Sequence, residues 1–102
     1  MIHVIAIVTT KPGLRAEVLE QFHGNMPNVH REKGCIEYQP TIDADGVGPL
    51  QTPLGPDTFV VVEKWETMDD LRAHGQSLHM AAYGASTRDK IAGRVIHVLV
   101  DG

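Results

Sequence analysis

Cysteine is almost missing from this chain. Cys35 stands alone among 102 residues, so no internal disulfide can form. A reducing, cytoplasmic setting is the natural expectation. Basic residues are also scarce: 9 Lys and Arg face 13 Asp and Glu, a net charge of −4. Such a chain has no basic surface to displace counterions from phosphates, so no nucleic-acid partner is expected. There is no apolar run of about 18 residues, so no membrane-spanning helix is expected. The N-terminal MIHVIAIVTT lacks a basic n-region and a small-residue cleavage site, and reads as a strand rather than a leader. No Gly-rich phosphate loop follows a strand, and no Gly-x-Ser-x-Gly occurs. His74 and His79 are five apart, about 140° around a helix, so they do not form the i, i+4 metal pair. No metal site is expected.

What remains is an ordinary globular composition, 42% hydrophobic and 22% charged. At this length the chain holds one core, and residues 1–102 read as one domain. The β-branched run Ile2 to Thr10 predicts a strand, followed by a turn at Lys11-Pro12-Gly13. Leu14, Val18, Phe22, Met26 and Val29 recur at helical spacing and predict a helix over 14–33, broken or kinked near Gly24 to Pro27. Gly34 suits the left-handed position after a helix end. Cys35 to Ile42 reads as a second strand, which Pro40 restricts to an edge or a bulge. The Gly-, Pro- and Asp-rich stretch Asp43 to Asp57 is too long for a hairpin turn. Thr58 to Glu66 is the third strand. Thr67 with Asp70 resembles a capping box that starts a helix at Met68; Gly75 interrupts it. Ser77 caps a further piece to about Ile91, and Gly93 precedes a last strand, Arg94 to Val100.

The order is β-α-β-β-α-β, which predicts the α+β, ferredoxin-like arrangement: a four-stranded antiparallel sheet with the helices on one face. A sheet with one wet face alternates apolar and polar residues. These strands do not. Phe59, Val61 and Trp65 share one face of the third strand, yet Val60 and Val62 occupy the other. Val95 and Leu99 oppose Ile96, Val98 and Val100, and Ile5 and Ile7 oppose Val4, Ala6 and Val8. Leaving six to eight such side chains in water would cost about 10 kcal/mol, as much as a domain's whole stability. A homodimer, packed through the second face, is expected. The alternative cover is the 43–57 loop folding back. Its apolar Val47, Leu50 and Leu54 are expected to pack, as a lid over a pocket or as an arm on the twin subunit.

Three segments, REKGCIEYQ (31–39), FVVVEKWET (59–67) and LRAHGQSLHMAAY (71–83), resemble the antibiotic biosynthesis monooxygenase (ABM) superfamily, specifically its small quinol monooxygenases. The shared marks are Gly34-Cys35, Glu63-Lys64-Trp65, Ala73-His74 and Ser77-Leu78-His79, and the likeness spans nearly the whole chain. The 43–57 loop is longer than the connection usual in that family. The resemblance implies a dimeric α/β barrel of ferredoxin-like subunits. It also implies oxygenation of a small electron-rich phenol or quinol by O2, with no metal, flavin or other cofactor. Triplet oxygen reacts poorly with closed-shell organics, so the protein must supply a base, a dry cavity and fixed orientation. His74 and His79 are the candidate bases, since imidazole titrates near neutral pH. Trp65, Phe59 and Tyr83 are candidate aromatic walls. Tyr38 is a candidate donor to a substrate oxygen. Glu63 is a candidate to orient a histidine, or to form a salt bridge across the dimer. A different class is also open: a non-catalytic dimeric module that binds a hydrophobic ligand or serves in stress response.

Overall fold

The structure, a computed structural model, describes every residue from Met1 to Gly102. β1 (Ile2–Thr10) buries Ile2, Val4, Ala6, Val8 and Thr10, with His3, Ile5, Ile7 and Thr9 turned the other way and half-buried. α1 (Arg15–His30) follows, then β2 (Cys35–Thr41), β3 (Thr58–Trp65), α2 (Met68–Gly75), α3 (Leu78–Thr87) and β4 (Ile91–Leu99). The strands lie in the order β2-β3-β1-β4, and every neighbour is antiparallel. This is the expected βαββαβ ferredoxin-like arrangement. β2 is an edge, as Pro40 requires. Thr67 and Ser77 cap α2 and α3 by accepting from the Asp70 and Met80 amides. Gly34 adopts φ +79, and a Cβ there would collide with the Asp70 side chain, 2.0 Å from Oδ2.

Three local expectations differ. α1 passes through Pro27 without a break. Phe22 and Val29, on either side of Pro27, are buried on the sheet, and that packing outweighs a helix-interior proline cost of about 3 kcal/mol. Gly93 does not end an element but lies inside β4, just past an irregularity opposite Thr9 and Thr10. β4 therefore starts at Ile91, and α3 ends at Thr87 rather than near Ile91.

The core gathers on the inner face of the sheet, where Val18, Phe22 and Val29 of α1 meet Tyr38, Phe59, Val61 and Trp65. α1 rests on β1 and β2, and α2 on β3. No helix covers β4, whose inner-face Ile96 and Val98 are 54% and 46% exposed. The outer face carries Ile5, Ile7, Val60 and Val62 half-buried, with Val95 and Leu99 exposed. Nor does the 43–57 loop shield this layer. Asp43 ties it into a compact turn by accepting from the Leu54 and Gly55 amides at 2.9 and 3.0 Å. Its Val47, Leu50 and Leu54 stay exposed, Leu50 at 88%.

Candidate functional site

The uneven cover of the sheet leaves a cleft of about 320 Å³ between its inner face and the helices. Val4, Ala6, Val8, Phe59 and Val61 form the floor; Phe22, Leu71, Met80 and Tyr83 form the wall. Thirteen of the 18 lining residues are hydrophobic, Tyr38 and Tyr83 counted among them, so Glu63, His74 and Arg94 are set against a dry background. None of Val47, Leu50 and Leu54 lines it, so the loop is no lid.

His74 lies on the last turn of α2 and lines the cleft. Its ring packs on Trp65 at 4.7 Å and edge-on to Tyr38 at 5.3 Å. Its Nδ1 meets Glu32 Oε2 at 2.7 Å. The other oxygen of Glu32 meets His79 Nε2 at 3.2 Å. One hydroxyl fixes the protons in this group. Ser77 Oγ donates its only hydrogen to the His74 carbonyl at 2.8 Å. Toward His79 Nε2, 3.3 Å away, it can therefore only accept, so that nitrogen carries the proton. Glu32 thus accepts from His74 and lies within ion-pair distance of the His79 ring. Facing a carboxylate oxygen at 2.7 Å, His74 Nδ1 is the donor of that pair, and a neutral ring then carries its lone pair on Nε2. No buried side-chain nitrogen or oxygen lacks a partner, so the unpartnered Nε2 is not fully enclosed, and His74 is among the residues that line the cleft.

The other sequence-expected residues fall into two groups. Phe59, Tyr83, Tyr38 and Glu63 line the cleft with His74. Trp65 and His79 do not. Trp65 is fully buried behind His74, and its Nε1 donates to Glu63 Oε1 at 3.0 Å. It backs the site instead of walling it. His79 lies on the far side of Glu32, beside a shallower surface depression. Glu63 makes no ion pair; it points to the helix side of the sheet, away from any partner at the outer face. Glu32 was missed by sequence reasoning, although it lies within the REKGCIEYQ segment. It sits in the turn after α1, and nothing local marks it as a partner of residues more than 40 positions away. Phe22 was read only as a helix core position, yet it stacks on Tyr38 at 5.0 Å and meets Tyr83 edge-on at 5.8 Å.

Burial sets the protonation states. It pushes the Tyr38 hydroxyl far above the ordinary phenol range, and it pushes Tyr83 up to about 12 against the lowering pull of Arg94. Both hydroxyls remain donors at neutral pH. Burial, then Glu32 and Glu63, raise the Cys35 thiol, which stays un-ionised and unreactive. Burial also raises Glu63, against the Trp65 hydrogen bond and His74, which lower it. A carboxyl raised in the folded state stabilises the fold while protonated, and that contribution fades as pH climbs through the folded value. Glu63→Gln, which can keep an acceptor for Trp65, should therefore stabilise the protein at pH 7 and flatten the decline above pH 4.5, the group's ordinary value. Denaturant melts from pH 4 to 8 would show this; an unchanged slope would mean Glu63 is not held against its charge.

No group of three His, Cys, Asp or Glu side chains is arranged to hold a metal ion. No helix is long and apolar enough to cross a membrane.

A ferredoxin-like sheet with a small apolar cleft and a carboxylate-held histidine defines the class, and sequence comparison makes it specific. Residues 1–86 match the antibiotic biosynthesis monooxygenase (ABM) family, and the chain belongs to that family. It is 36% identical over 104 residues to the Escherichia coli K12 protein named "Probable quinol monooxygenase YgiN", covering 100% of this chain and 99% of that one. Among solved structures, a protein of Caulobacter crescentus CB15 superposes with TM-score 0.82 at 28% identity, over 99% of this chain and 89% of that chain. One from Nitrosomonas europaea does so with TM-score 0.83 at 21% identity, over 98% of this chain and 88% of that chain, a likeness of fold alone.

Proposed function

We propose that this protein is a cofactor-independent quinol monooxygenase acting as a homodimer. The observation that carries the chemistry is the His74–Glu32 pair opening on a dry aromatic cleft. The 36% identical relative supports the quinol as substrate class. Phe22, Phe59 and Tyr83 flank an aromatic ring, and Tyr38 donates to one of its oxygens. His74 Nε2 takes the proton of a quinol hydroxyl, and the carboxylate of Glu32 stabilises the imidazolium. The quinolate, held out of water, gives an electron to O2, which adds to the ring. One oxygen atom enters the product and the other leaves as water, so a quinol and O2 yield a hydroxyquinone and H2O. Trp65 and Glu63 hold the base in place, and His79 steadies Glu32.

Residues 1–102 act as one domain in this reading, since β4, beyond the family match at residue 86, is an integral strand of the sheet. The dimer rests on the outer face of that sheet, where Ile5, Ile7, Val60, Val62, Val95 and Leu99 have no cover of their own. Two such faces packed together form the barrel, and the exposed loop residues Val47 and Leu50 then serve as an arm on the twin. The lone Cys35 suits a reducing cytoplasm.

The test is an oxygen-electrode assay with 1,4-dihydroxynaphthalene under ¹⁸O₂, analysed by mass spectrometry. One labelled oxygen in the product, formed faster than without protein, is expected. Unlabelled quinone as the only product would end the monooxygenase reading. Tight binding without oxygen uptake would instead point to the non-catalytic ligand-binding module.

A further inference from the structure

Arg94 has no place in the chemistry just described, yet it lines the cleft. It is the only cation among the lining residues except for His74, should that histidine protonate. Arg15, Arg31 and Arg72 each donate to a protein oxygen. Arg94 donates to none, and takes part in none of the ion pairs. Its charge is felt by Tyr83. Its guanidinium is free to meet a ligand at the cleft, and its planar donor fork matches a carboxylate.

The strand register places it. Glu63 pairs with Val4, which pairs with Val98; four residues along, Phe59 pairs with Val8, which pairs with Arg94. Glu63 and Arg94 therefore sit at diagonal corners of the cleft floor, two strands across and four residues along, roughly 16 Å between backbones. His74 belongs to the Glu63 corner, packed on Trp65 and Tyr38. An inward-reaching Arg94 side chain shortens this diagonal, and a fused two-ring ligand bridges what is left. The cleft volume of about 320 Å³ is on the scale of a small-molecule site.

Building on the proposed reaction, we infer that the substrate is a two-ring hydroxyaromatic carrying a carboxylate on the ring remote from the reacting hydroxyl, and that Arg94 holds this carboxylate. Arg94 sets specificity and register; it does not touch the reacting atoms. The anchored acid group turns the hydroxyl end toward His74 Nε2.

The experiment compares 5,8-dihydroxynaphthalene-2-carboxylate with 1,4-dihydroxynaphthalene by anaerobic calorimetry, on the unmodified protein, Arg94→Gln and Arg94→Lys. A charge-assisted hydrogen bond makes the acid bind about tenfold to a hundredfold tighter. That advantage disappears in Arg94→Gln and largely survives in Arg94→Lys. Equal affinity for the two ligands, or a preference that persists in Arg94→Gln, overturns the inference. Arg94 is solvent-exposed, so both variants should fold, as a thermal melt would show. Oxygen uptake separates the two readings. An Arg94-dependent preference with no uptake upholds the anion site and defeats the monooxygenase. Uptake with no preference does the reverse.

Discussion

Replacing His74 by asparagine should slow quinol turnover by about a hundredfold to ten-thousandfold, the usual worth of a positioned base. Asparagine is the informative choice. Its amide nitrogen overlays Nδ1 and can still donate to Glu32, which the native ring meets at 2.7 Å. What it lacks is the Nε2 lone pair facing the cleft. The loss should fall on kcat, with KM little changed, because binding comes mainly from the apolar walls. Glu32→Gln should show a smaller loss of the same kind, partly recovered by Glu32→Asp, since the carboxylate acts through the ring it holds. Steady-state rates by oxygen electrode, with circular dichroism to confirm folding, decide the matter. An asparagine variant that keeps a third or more of the native kcat would remove His74 from the chemistry.

The second large effect concerns assembly. The native protein should sediment at twice the 11.2 kDa of one chain. Ile7→Asp should shift it to the single-chain mass, weakening association on the order of a thousandfold. Ile7 lies mid-strand on the outer face, between Val60 and Val95. An aspartate there would be buried without a partner in a face-to-face pair of sheets. In a lone chain it would meet water, so folding should survive. Sedimentation velocity across a dilution series is the measurement. A native protein that stays a stable monomer, or an Ile7→Asp variant as dimeric as the parent, would place the interface elsewhere or nowhere.

Local chemistry made much of the fold legible in advance. The β-branched runs of β1 and β3, the caps at Thr67 and Ser77, the left-handed Gly34 and the edge-seeking Pro40 each act through immediate neighbours. Pro27 and Gly93 misled for the opposite reason. Packing of Phe22 and Val29 on the sheet carries α1 through the proline, and pairing with β1 carries β4 through the glycine.

The site was half visible. His74 stood out by residue type and by resemblance, and Phe59, Tyr38, Tyr83 and Glu63 share its cleft. Trp65 and His79 were equally prominent in sequence, yet one lies behind His74 and the other beyond Glu32. A strand's period tells which face a side chain takes, but not which helix comes to rest over it.

By itself, the sequence determined the order of elements, the family, and a sheet apolar on both sides, because these follow from periodicity and residue type along the chain. Only the tertiary structure decided that Glu32 joins His74 to His79, that β4 lacks a helical cover, and that Arg94 stands across the cleft from the base. Those relations join residues distant in sequence, and they exist only once helices and strands have packed.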